Sequence, residues 1–110
     1  MPSLGNTLFK GRFGKTYQFR VFALGTRFRK ISGVYVITNR SRNEGGEREH
    51  EVLFVGQTED LSQPFDRHRK AKELQQHGAN CICLQSDNSE GSRLAKERDL
   101  LVVHQPPCNR

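Results

Sequence analysis

Two short runs of β-branched and aromatic residues constrain the fold of this chain more than anything else. They are Gly33-Val34-Tyr35-Val36-Ile37 and Val52-Leu53-Phe54-Val55-Gly56. Such residues suit a pleated, half-buried surface. The polar segment from Thr38 to Glu51 separates them and carries Gly45-Gly46 near its middle. The pair therefore reads as an antiparallel hairpin with a long tip. At 110 residues the chain fits one domain with a modest core.

The flanking pattern adds further elements. Tyr17, Phe19, Val21 and Ala23 alternate with Gln18 and Arg20, which predicts a strand over Tyr17–Leu24, ended by Gly25. From Ser62 the spacing turns helical, with Pro64 in the first turn, Leu61, Phe65 and His68 on one face, and Gly78 as the stop. Asn80–Gln85 alternates as another core strand. A second helix is expected from a cap at Asn88 or Ser89 to about Val103, with Leu94, Glu97, Leu101 and His104 in one stripe. These elements define an α/β (α+β) fold over 17–110, a small mixed or antiparallel sheet flanked by helices. A basic, partly flexible segment over 1–16 precedes it.

The order of residues in this region resembles the GIY-YIG nuclease family. Gly33-Val34-Tyr35 is followed by Phe54-Val55-Gly56-Gln57-Thr58, then Asp60-Leu61 with His68 beyond. Leu94-Ala95-Lys96-Glu97 and Pro106-Pro107-Cys108-Asn109 follow later, so the resemblance spans roughly Ile31 to Arg110. It implies a DNA-acting domain in which Glu97 holds one divalent metal, Mg²⁺ or Mn²⁺, while Tyr35 and His68 manage the proton of the attacking water. Phe54, Gly56 and Asn109 would support that site. Positioned cations matter because phosphodiester hydrolysis accumulates negative charge on oxygen.

Two positions depart from the family pattern. Phe54 replaces the second tyrosine, and Pro64 stands where the arginine is expected. Loss of one such charge donor lowers a rate roughly a hundredfold or more. Arg67, one helical turn past Pro64, is the candidate displaced phosphate clamp, with Arg69 pointing farther round. The functional expectation is a GIY-YIG-type domain whose metal-dependent cleavage is weakened or lost. The alternative is a non-catalytic nucleic-acid-binding or protein-interaction module on the same fold.

Charge supports a polyanionic partner. Residues 1–30 hold seven of the 18 Lys and Arg residues and no acid, leaving 11 cations against 12 acids in the rest. Arg12, Lys15, Arg20, Arg27 and Arg29 are the candidate DNA-backbone contacts. Phe9, Phe13, Tyr17, Phe19, Phe22 and Phe28 lie among these cations, either as core packing or as a base-stacking platform. Mean hydropathy is −0.75, and no apolar run approaches the ~18 residues of a membrane span. Three cysteines cannot all pair within the chain, so a reducing cytoplasm is expected. Cys81, Cys83, His104 and Cys108 offer zinc-type donors, but they lack paired CxxC knuckles, and that spacing argues against zinc.

Overall fold

The computed structural model describes residues 3–63 and 68–109. Strands β1 (Asn6–Lys10), β2 (Thr16–Ala23), β3 (Gly33–Arg42), β4 (Arg48–Thr58) and β5 (Cys81–Ser86) form one sheet in the order β1-β2-β5-β3-β4. Every neighbouring pair is antiparallel. Helices α1 (Ala71–Gln76) and α2 (Glu90–His104) flank the sheet, and 3-10 turns occupy Arg12–Gly14 and Pro107–Asn109. The architecture is mixed α+β.

Strand alternation gives the sheet two apolar faces. On one, Phe9, Phe19, Val21, Val36 and Cys83 pack with Leu100 of α2. On the other, Ile37, Leu53 and Phe54 pack with Leu74 of α1 and with Cys108 of the C-terminal turn. A smaller cluster of Phe22, Leu61 and Leu84 extends that second face. Leu74 and Leu100 are fully buried; truncating either to Ala would cost about 2–5 kcal/mol.

Three elements differ from the sequence reading. Where a loose leader was expected, Asn6–Lys10 pairs with Thr16–Arg20 and buries Phe9. The hairpin tip is short, because Asn39–Arg42 and Arg48–Glu51 pair through polar residues across the strands. The Asn43 side-chain oxygen accepts from the N–H groups of Gly45 and Glu47, and Gly46 takes the left-handed conformation, φ +80°. Of the helix expected from Ser62, the described residues show Ala71–Gln76 as helix, while residues 62–63 and 68–70 form turns and bends. Ser62 instead donates its backbone N–H to the Asp60 carboxylate in a local turn. Pro64, Phe65 and Arg67 fall outside the described residues.

α2 follows expectation closely at its start, where the Ser89 hydroxyl accepts from the Ser92 N–H. Its inward stripe is rotated from the expected one: Arg93 and Leu100 are buried, while Leu94 is 45% exposed.

Candidate functional site

Tyr35 stands near the start of β3, opposite Gly56 on β4. A side chain at Gly56 would place its Cβ 2.5 Å from Tyr35 Cζ, so the phenol ring occupies space that only glycine leaves open. Phe54 stacks beside the ring at 6.0 Å and 23°. His68 sets its edge against Phe54, with centroids 4.9 Å apart, and its Nε2 lies 2.8 Å from the Tyr35 hydroxyl. Phe54 thus retains the packing role of a site ring without a hydroxyl.

The hydrogen bonds around His68 define its tautomer. The Lys70 backbone N–H donates to Nδ1 at 3.1 Å. A neutral ring with Nδ1 accepting carries its proton on Nε2. Nε2–H therefore donates to the Tyr35 oxygen, and the phenol proton is left for another acceptor. Burial, with the Arg69 charge second, lowers the His68 pKa and favours that neutral ring. Burial pushes the Tyr35 phenol up to about 12. At pH 7 its phenolate fraction is on the order of 10⁻⁵, so Tyr35 is a hydrogen-bond donor here rather than a base.

Glu97 approaches from α2, which covers the opposite face of the sheet. The backbone N–H of Gln57 meets its carboxylate, although burial dominates and raises its pKa. The Glu97 charge also acts on the Tyr35 phenol. The acid therefore reaches β4 at Gln57, the neighbour of Gly56, from the helix on the other side of the sheet from the phenol. Two residues earlier, the Asn109 side chain accepts from the Val55 N–H at 2.8 Å and donates to the Val55 carbonyl at 2.9 Å. Alternate outward-facing groups of β4 are thus taken by Asn109 and by Glu97.

Tyr35 and His68 line a hollow of about 270 Å³ with Phe28, Thr58, Asp60 and Leu61. Hydrogen bonds from Ser62 hold the Asp60 carboxyl below its ordinary range, which keeps an anion on the rim. Arg67 lies outside the described residues. Arg69 is the cation beside the pair: its guanidinium carbon sits 5.7 Å from the Phe54 ring centre, and its charge acts on both Tyr35 and His68. The sequence reading set Arg69 aside on helical geometry, but residue 69 precedes the helix.

The five basic candidates separate into groups. Arg20 and Arg29 line a broad hollow of about 620 Å³ with Phe22, Phe28 and Leu84, while Arg27 is exposed in the loop after β2. Arg12 and Lys15 lie at the first turn, against α2. Arg12 is committed to Asp99, a residue the sequence did not single out: its backbone N–H and its Nε both donate to Asp99 Oδ1 at 2.9 Å. Tyr17 donates its hydroxyl to the other carboxylate oxygen at 2.7 Å.

Aromatic packing prevails for most of the candidate stacking residues. Phe9, Phe19 and Phe22 are buried, and Phe28 meets Phe22 edge-on at 5.1 Å. Phe13 alone of the six is fully exposed, at φ +57°. The fold also separates the four residues of the zinc pattern. Cys81 and Cys83 share the α2 side of the sheet, and Cys108 lies in the cluster on the other side. Burial pushes the Cys83 thiol up to about 12, as suits a protonated packing group. Known family models, curated proteins and solved structures return no match to this chain.

Proposed function

We propose that this chain is a GIY-YIG-type domain that engages the phosphodiester backbone of DNA, with cleavage strongly attenuated. The observation that carries the reading is the Tyr35–His68 hydrogen bond over Gly56, with the Glu97 carboxylate bound to the next residue of β4, Gln57. Tyr35 and His68, two of the residues that the resemblance implies, are hydrogen-bonded there although 33 positions apart in sequence, which supports the reading. Tyr35 would donate its phenol proton to a phosphate oxygen, and Arg69 would balance the phosphate charge. Arg20 and Arg29 would guide the backbone along the same face.

Glu97 is compatible with a hard divalent ion. It is a half-buried carboxylate with no salt bridge among the described residues, and Mg²⁺ accepts one or two carboxylates plus water. When bound, such an ion would neutralise charge on the phosphate. The site is weak on the base side. Tyr35 is held neutral, both His68 nitrogens are engaged, and Phe54 lacks a hydroxyl. These features support attenuation, and they equally support the alternative of a binding module without chemistry.

The deciding experiment measures duplex binding against salt and nicking of supercoiled plasmid with and without Mg²⁺. Binding that falls steeply with salt, with slow nicking abolished by Glu97→Gln, supports the enzyme. Salt-dependent binding without Mg²⁺-dependent nicking selects the module. No binding at low ionic strength overturns the DNA reading.

A further inference from the structure

A second cluster of donors lies away from Tyr35. Glu73 in the first turn of α1 and His77 at its C-cap stand four residues apart, so they project to one side. Cys108 comes from the C-terminal turn. One ligand atom from each of the three lies within 4.8 Å of the others. Their convergence is built into the fold. Leu74, next to Glu73, packs in the same cluster as Cys108, so seating α1 also sets Glu73 and His77 above the thiol. The turn is separately fixed by the two Asn109–Val55 hydrogen bonds.

We infer that Glu73, His77 and Cys108 form a binding site for a zinc ion. Zinc bonds of about 2.0–2.3 Å in tetrahedral geometry put neighbouring ligand atoms roughly 3.3–3.7 Å apart. The widest separation present closes to that range with about 1 Å of side-chain movement. Such movement is available because His77 is exposed and Glu73 is partly so, while Cys108 stays fixed in the core. Sulfur, imidazole and carboxylate together select zinc over magnesium or calcium, which require oxygen. The Lys70 ammonium sits 3.2 Å from Glu73 Oε2, so a bound ion would compete with it for the carboxylate. Three protein ligands leave a fourth position for water. The ion would tie the C-terminal turn to α1 and act as a staple, whatever happens at Tyr35.

The bland alternative is a buried thiol beside two ordinary surface side chains. Chelator-treated full-length chain titrated with Zn²⁺, and in parallel with Co²⁺ as an absorbing substitute, separates the two. The inference expects one equivalent bound and an upward Tm shift on the order of 10 °C at saturation. It also expects a thiolate-to-cobalt charge-transfer band and no shift with Mg²⁺. His77→Ala and Glu73→Gln should each weaken zinc binding at least tenfold while leaving the metal-free Tm nearly unchanged. Cys108→Ala should remove the band; should that variant fail to fold, the His77 and Glu73 variants still decide. No zinc-dependent shift, or binding that survives both His77→Ala and Glu73→Gln, overturns the site.

Discussion

The ring of Tyr35 fills the space in which a Gly56 side chain would lie, with Cζ 2.5 Å from the ideal Cβ position. The Glu97 carboxylate, carried by the helix on the other face, acts electrostatically on the same phenol. Gly56→Ala should therefore push the ring aside and break its bond to His68. The expected outcome is a folded but destabilised protein, by about 1–3 kcal/mol, in which the His68 imidazole signals shift in NMR. Unchanged His68 resonances would show that the ring tolerates the methyl group.

Two half-buried histidines give the fold a pH dependence near neutrality. Burial and then Arg40 lower the His50 pKa, with Thr38 Oγ1 2.8 Å from its Nδ1. Burial and then Arg69 lower that of His68. A folded-state pKa below the unfolded value of 6.5 means that the unfolded chain takes up protons first. Stability should be full above about pH 6.5 and should fall as the pH drops below that value. Denaturant midpoints at pH 7.5 and 5.5 check this, and His50→Gln together with His68→Gln should flatten the difference.

A separate acid limb belongs to Asp99. Hydrogen bonds from the Arg12 backbone N–H, the Tyr17 hydroxyl and the Arg12 guanidinium hold its pKa down to about 2, against an ordinary 3.8. Its stabilisation is present above about pH 4 and should be lost as the pH falls toward 2. Asp99→Asn should lower Tm at pH 7 and remove part of the stability loss between pH 4 and 2. An acid-unfolding profile identical to that of the parent protein would exclude this anchor.

The Asn109 amide replaces a strand partner for Val55. Asn109→Ala would leave one backbone donor and one acceptor of Val55 without those bonds, which should cost about 1–3 kcal/mol in urea unfolding. Asn109→Asp keeps the acceptor for the Val55 N–H but places a second acceptor against its carbonyl, so it should recover little.

The central hairpin was legible because Val34, Val36, Leu53 and Val55 are β-branched or aliphatic residues buried inside the sheet. Its outer half was not, since Arg40, Ser41 and Glu49 pair across strands without any apolar signal. β1 escaped notice for a related reason: Asn-Thr-Leu-Phe-Lys buries only Phe9. The Ser89 cap made α2 plain, whereas the Leu61–Leu74 spacing gave no sign that Ser62 would turn back on the Asp60 carboxylate.

At the site, the motif order drew attention to Tyr35, His68 and Glu97. Helical geometry set Arg69 aside in favour of Arg67, yet residue 69 lies outside α1 and its guanidinium stands over the Phe54 ring. Nor could Asp99 be tied to Arg12, 87 residues away, because long-range closure leaves no periodic trace.

The side chains that cover the outside of β4 also give the sheet a polarity. Val55 is already matched on that side by Asn109, and the Gln57 N–H by Glu97. At the far end, β1 has among the described residues a single side-chain partner, His104 on the Lys10 carbonyl. An incoming extended chain, from another copy or another protein, would therefore meet more unoccupied backbone beside β1 than beside Val55–Gln57. Lengthening of the sheet at β1 lies away from Tyr35 and would leave the hollow open.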